Sequence, residues 1–375
     1  MGSRARTTLL ACLALLAVAP AAHASEAYLD EDTGVATAQG DPGEANVMQI
    51  RPGGDGVIFS DTVGIHPRPG SGCRALSENE VTCPGDGGLL LGADGDDDLR
   101  DGGLTTSFGA RGGPGDDTIV AGAVDALLYG DDPKVRETDG DDRITGSRST
   151  RPLDPAHPDF HDFIAGGGGD DNIAGLEGND ELAGQGGTDT IDGGEGDDNL
   201  EGITLLTVDE RDAPGDEGDD FLAGGAGNDA ITANRGRDVV DGNDGNDRVF
   251  AVDNDLGRDD LNSDTVRCGT GADTVDAGAG DKLQVGCETL RVALYCKGCT
   301  AKGAVTGRAK GAKKTTTVAK INKAIATSYT AELPLKKATK LLGTRKKTTL
   351  TFDVTMRRGK TVVGGRVFVF TLLAP

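Results

Sequence analysis

The sequence predicts an all-β chain whose body is a stack of short turns and strands, and three observations point there. Glycine supplies 60 of 375 residues, aromatic side chains make up only 3% with no Trp, and a nine-residue pattern recurs through the middle. Apolar bulk on that scale cannot fill a conventional core, so the chain must build its structure from regular backbone stacking.

Charge divides the chain in two. The formal net charge is −24, yet residues 296–375 hold 18 Lys and Arg against Glu332 and Asp353, a net of +16 that leaves −40 for the remainder. So many carboxylates in one compact body repel one another unless cations neutralise them. The same charge excludes nucleic acid as a partner of the acidic part, because phosphates would be repelled.

The first 24 residues run from Arg4 and Arg6 through the apolar stretch Leu9 to Val18 to Ala22-His23-Ala24. This is the order of a secretory signal peptide, and it places the mature start at Ser25. Reading Leu9-Leu10-Ala11-Cys12 as a lipoprotein box leaves too short an apolar region and is the weaker alternative. No other apolar run is long enough to span a membrane, so a secreted protein is expected.

Residues 25–91 alternate in short stretches such as Val57-Ile58-Phe59 between Gly- and Pro-rich turns, which predicts a small N-terminal β cap. After export the remaining cysteines are Cys73, Cys83, Cys268, Cys287, Cys296 and Cys299, an even set that favours disulfides. Six cysteines allow 15 pairings and sequence alone does not choose among them. Cys73 and Cys83 bracket one stretch of the cap, and a bridge there would contribute on the order of 2 to 3 kcal/mol.

Internal repetition governs residues 92–287. Four nine-residue units follow one another from Gly166 to Glu201: GGGGDDNIA, GLEGNDELA, GQGGTDTID and GGEGDDNLE. Four more, GDEGDDFLA, GGAGNDAIT, ANRGRDVVD and GNDGNDRVF, run from Gly215 to Phe250. Each has Gly fourth, Asp sixth and an aliphatic residue eighth. Worn copies occur at Gly92 to Arg100, Gly112 to Val120, Glu137 to Thr145, Asn254 to Asn262 and Cys268 to Asp276.

Glycines at the first, second and fourth places permit positive φ and a tight turn. Asp at the sixth place adds a hard anionic oxygen, and the last three residues form a minimal strand with one inward side chain. Carbonyls and carboxylates are the ligands calcium prefers, whereas the nitrogen and sulfur ligands that suit zinc or copper are scarce in the repeats. Leu176, Gln185 and Ala233-Asn234 replace expected glycines, so the turn geometry is least secure there.

The pattern G-G-x-G-x-D-x-U-x resembles the RTX, or haemolysin-type, calcium-binding repeat family. The resemblance implies a right-handed parallel β-roll in which two repeats make one coil and each calcium ion lies between turns on one side. Carried onto this chain, it pairs Asp171 with Asp189, Asp180 with Asp198, Asp220 with Asp238, and Asp229 with Asp247. The outlying copies add Asp117, Asp142, Asp97, Asp259 and Asp273 as metal ligands. Between Ala277 and Leu283, Lys282 stands where the next Asp is expected, so the metal series should stop there, with Cys268 and Cys287 stapling its end. On the order of six to ten calcium ions are implied if most paired turns fill. Because little apolar area is buried, metal binding is expected to drive folding, after export into a calcium-rich medium.

Residues 288–375 turn to Lys, Thr and Val, and from Cys296 onward this predicts a basic, β-sandwich-like domain. Leu350, Phe352, Val354 and Met356 alternate with polar residues, then Arg357-Arg358-Gly359-Lys360 turns into the alternating run Arg366 to Leu372. Thr327 to Leu335 reads as a further strand, and Leu335 to Leu342 as a helical turn closed by Gly343. The basic surface fits an anionic cell-wall polymer or a surface glycan, or the acidic roll itself. Cys296 and Cys299 read as a structural disulfide rather than a redox pair or half a zinc site.

No catalytic residues are assigned. His157 and His161 lie in HPDFHD, where Pro158 and the lack of H-E-x-x-H speak against a helical zinc pair. No G-x-S-x-G occurs, and the paired carboxylates are already explained by the repeat. The expected function is therefore a secreted, non-enzymatic calcium-binding protein with a structural, adhesive or cell-surface and matrix role. The alternative is a secreted enzyme or toxin carrying the roll as an accessory. That reading needs a catalytic or membrane-active region that no stretch outside the repeats provides.

Overall fold

A computed structural model of the chain describes residues 24–131, 140–149, 161–201, 218–252, 263–278, 280–284, 286–295, 299–309, 316–325, 328–335, 347–358 and 360–373. The signal segment, the insertions, Asp259, His157, Cys296 and the stretch after Leu335 lie outside these residues.

The described chain is all-β and forms a parallel β-roll between two sheets. Each coil places one short strand in a first sheet, turns, places a second strand in the opposite sheet, and turns back. In the first sheet Glu181 to Ala183 pair in parallel with Asn199 to Glu201, and those with Ala230 to Thr232. In the second, Asn172 to Ala174 pair with Thr190 to Asp192, and those with Phe221 to Ala223. The sixth-place Asp and eighth-place aliphatic keep the same level in every such pair, so a slip of one residue would turn every core side chain outward.

One aliphatic side chain per strand fills the interior. Ile173, Leu182, Ile191, Leu200, Leu222, Ile231, Val240 and Val249 are all buried, as expected from the eighth place. Where the repeats are worn the core is thicker: Met48, Ile50, Phe59 and Phe108 are fully buried at the N-terminal end.

The ends of the roll are built from the same two sheets. Strands Ala36–Gln39 and Val47–Pro52 already pair in parallel with the next coil. Antiparallel strands then close this end, Ser25–Leu29 on the first sheet and Val57–Asp61 on the second. Cys73 and Cys83 are joined by a disulfide, as are Cys268 and Cys287.

The basic tail continues this arrangement. Cys287–Tyr295 pairs in parallel with Asp273–Ala277 and antiparallel with Ser328–Pro334, lengthening the first sheet. Thr361–Leu373 pairs in parallel with Lys282–Gln284 and antiparallel with Lys347–Arg358, lengthening the second. The expected hairpin of Lys347–Arg358 and Thr361–Leu373 is present, and its second strand is hydrogen-bonded directly to the roll.

Candidate metal centre

The turns take their shape from close backbone stacking. A methyl group on first-place Gly175 would lie 2.5 Å from Asp180 Oδ2 of its own turn and 2.5 Å from the carbonyl oxygen of Gly193 in the next coil. Fourth-place Gly196 has φ +138, and a Cβ there would collide with the carbonyl oxygen of Gly178 in the coil before. Glycine is thus demanded by two separate approaches, one to a carboxylate and one to a carbonyl. At the second place, Leu176, Gln185 and Asn234 keep the left-handed backbone with φ of 83°, 78° and 65°. The replacements singled out in the sequence therefore leave the turn conformation in place, at a cost in strain for Leu176 and Gln185.

The sixth-place aspartates form two ladders, one along each edge of the roll. On the leading edge, where the chain passes from first to second sheet, the backbone N–H of each Asp donates to Oδ1 of the Asp one coil further on. The rungs run from Asn46 through Asp97, Asp117, Asp142, Asp171, Asp189, Asp220, Asp238 and Asp264 to Asp281, at 2.6 to 3.1 Å. On the return edge the rungs run from Asp162 through Asp180, Asp198, Asp229, Asp247 and Asp273 to Glu288, at 2.8 to 3.1 Å. All four pairs expected from the repeat are adjacent rungs: Asp171 with Asp189, Asp180 with Asp198, Asp220 with Asp238, and Asp229 with Asp247.

A second, exposed row at the fifth place runs with opposite polarity. The N–H of Asp197 donates back to Asn179 Oδ1 at 3.0 Å, and that of Asn228 to Asp197 Oδ1 at 2.7 Å. Neighbouring turns are thus tied by hydrogen bonds of both senses, which fixes their separation. His161 begins this row by accepting from the N–H of Asn179 at 2.8 Å, and its pairing with His157 weighed in the sequence lies outside the described residues.

In eight of the ladder carboxylates the second oxygen has no such use, whereas Oδ2 of Asp162 and Asp281 accepts from the N–H of Ser147 and of Gly278. Oδ2 of Asp97, Asp117, Asp171, Asp180, Asp198, Asp229, Asp247 and Asp273 is buried without a hydrogen-bond partner. Burial pushes these carboxyls up, helped by their neighbours' charges: Asp117 and Asp171 to about 9, Asp180 to about 8, Asp198 and Asp247 to about 7. The hydrogen bonds to Oδ1 pull the other way and are outweighed. Buried anionic oxygens facing one another without protons or cations are costly.

The ladders reach further than the repeat pattern. Asp162, Asp264 and Asp281 are rungs that the nonapeptide search passes over. The series does not stop at Lys282: that residue lies in a strand with its side chain exposed, while the preceding Asp281 is fully buried and takes the rung. The signal that finds all three is the shorter spacing Asp-x-aliphatic, in Asp162-Phe163-Ile164, Asp264-Thr265-Val266 and Asp281-Lys282-Leu283.

The donor set suits a hard cation. Among the described residues no three His, Cys, Asp or Glu side chains gather into a compact cluster. The oxygens on offer are one carboxylate per turn and the stacked carbonyls of first- and fourth-place residues, which suit calcium better than zinc, a metal that favours nitrogen and sulfur ligands in four-coordinate sites. The aspartates of adjacent rungs would hold the ion, and positive charge there would answer the orphaned Oδ2 atoms.

The RTX calcium-binding nonapeptide repeat family matches the chain in four copies, at residues 110–132, 161–202, 214–249 and 257–281. No curated protein and no solved structure matches it. The matched segments hold most rungs of both ladders, from Asp117 to Asp281, and this part of the chain carries RTX-type calcium-binding repeats.

Proposed function

We propose that the chain is exported, folds on binding several calcium ions along both edges of the roll, and acts as a structural or adhesive component at the cell surface or in the surrounding matrix. The observation that carries this is the pair of Asp ladders, each with one oxygen engaged in the backbone and the other buried beside glycine carbonyls. Metal binding and folding are then one event. Two disulfides agree with an oxidising destination, and no helix among the described residues is long and apolar enough to cross a membrane.

The basic tail is the part suited to an anionic wall polymer or surface glycan, since its 18 Lys and Arg face only two acids. A non-enzymatic role is preferred because the carboxylates that could serve as acid and base are committed to the ladders.

Circular dichroism of residues 25–375, titrated with calcium and then with chelator, tests the reading beside an Asp180→Ala/Asp198→Ala variant. A cooperative, chelator-reversible gain of β signal that the variant weakens is expected. A spectrum indifferent to calcium would overturn calcium-driven folding.

A further inference from the structure

The strand that opens the cap begins on a buried polar residue. Ser25–Leu29 is held on both sides, antiparallel by Ala36–Gln39 and parallel by Ile65–Pro67, and the N–H of Ser25 donates to the carbonyl oxygen of Gly64 at 3.0 Å. Ser25, Asn46 and Asp61 are each 1% exposed. The Ser25 hydroxyl donates to Asp61 Oδ2 and stands 3.4 Å from Asn46 Oδ1. Asn46 heads the leading-edge ladder, and both its nitrogens donate to Oδ1 of Asp97, the first ladder carboxylate.

Asp61 is a buried carboxylate with neutral partners. Among the described residues its oxygens are met by the Ser25 hydroxyl and by the N–H groups of Val47 at 3.4 Å and Val63 at 3.2 Å, two long bonds. The other charges of the cap are engaged elsewhere or exposed: Glu26 pairs with Arg68 and Glu80 with Arg51, while His66 and Glu78 face solvent. Asp61 and Asp97 repel one another. A carboxylate held this way is costly unless a positive charge joins it.

We propose that Asp61 is the receptor for the mature amino terminus, and that signal cleavage before Ser25 completes the cap by supplying the missing cation. Hydrolysis of the Ala24–Ser25 peptide bond by a signal peptidase consumes one water and leaves a carboxylate on Ala24 and an ammonium on Ser25. That nitrogen is three bonds from the hydroxyl oxygen that touches Asp61, within the roughly 4 to 6 Å over which an opposite charge acts on a carboxylate. The proposal rests on the export reading above. The head of the leading-edge ladder then carries a fixed ammonium of the chain's own, and the uncleaved chain, with a neutral amide there, closes its cap less firmly.

Acylation of the terminal amine, which only the free base undergoes, gives a direct test. It is followed against pH, in calcium, by mass spectrometry of the N-terminal peptide. An ion pair raises the midpoint of this profile and burial without one lowers it. Three chains are compared: one starting at Ser25, the same chain with Asp61→Asn, and one starting at Ala24, whose ammonium is displaced by one residue. The intact mass of the protein exported from the full sequence is recorded beside them. The expected mass begins at Ser25. The expected midpoint for the Ser25 start lies at least about one pH unit above the ordinary value of about 8, and both other chains fall back to that value or below. The Ala24 start decides the matter should Asp61→Asn not fold. A Ser25 amine at or below the ordinary value, or a raised midpoint that survives Asp61→Asn, overturns the proposal and leaves the export reading standing. A different first residue, or no export, removes both.

Discussion

Asp180 and Asp198 stand one coil apart, and the backbone N–H of Asp180 donates to Asp198 Oδ1 at 2.8 Å. Asp198 in turn donates to Asp229 Oδ1 at 2.9 Å, although 31 residues rather than 18 separate that pair. The rung survives an insertion in the coil, so it is a property of the turn and not of the repeat length. Each carboxylate divides its work: one oxygen holds the neighbouring backbone, and the other faces the glycine carbonyls.

That division separates two substitutions at one position. Asp198→Asn retains an acceptor for the Asp180 N–H but removes the charge, so the metal-free roll should hold or gain stability while the calcium response weakens. Asp198→Ala strands the N–H as well, at about 1 to 3 kcal/mol. Denaturant midpoints in chelator and in calcium check this. Equal losses for both variants in chelator would show that the rung carries no structural weight.

Acid and calcium should act in opposite directions on the roll. Burial raises Asp117 and Asp171 to about 9, Asp180 to about 8, and Asp97, Asp220 and Asp229 to about 6, from an ordinary 3.8. A carboxyl with a raised folded pKa stabilises the fold fully below its unfolded value and loses that contribution as pH climbs past the folded one. In chelator, stability should therefore fall from about pH 4 towards pH 9. In calcium, protons compete with the ion and the trend should reverse at the acid end. Midpoints recorded at pH 5 and pH 8.5 in chelator decide it; a higher midpoint at pH 8.5 would contradict the burial argument.

Backbone stacking makes a contrast between glycine sites. Gly227 has φ +153 and a Cβ there would collide with the carbonyl oxygen of Gly196, so Gly227→Ala must push two coils apart. Gly103 also has positive φ, +103, but open space around it. Gly103→Ala should cost about 1 to 3 kcal/mol from backbone strain alone, and Gly227→Ala clearly more. Similar losses at both sites, read from thermal melts in calcium, would mean that the coils relax freely.

The Asp-x-aliphatic core of the roll was legible in the sequence because both requirements are local: one carboxylate for the turn, one side chain for the interior. Asp162, Asp264 and Asp281 escaped because the search also required Gly at the fourth place, where their units have Phe160, Asn262 and Ala279. The strands of the tail were visible from their alternation. Their attachment to both roll sheets was not, because the pairing of Thr361–Leu373 with Lys282–Gln284 joins segments far apart in sequence with no motif in common.

The last rung depends on a disulfide. Cys268 opens the turn that ends at Asp273, and Cys287 precedes Glu288, whose Oε2 accepts from the N–H of Asp273 at 3.0 Å. The bridge, spanning a sequence separation of 19, thus pins both partners of that rung and the first strand of the tail. Closing a loop of that size is worth about 3 kcal/mol, and Cys268→Ser/Cys287→Ser should lose a stability of that order in saturating calcium. The loss should be local: amide exchange should quicken at Asp273 and along Cys287–Tyr295, while the Asp180 amide, several coils away, keeps its protection. Uniform quickening along the whole ladder would instead mean that the roll unfolds as one unit from its C-terminal end.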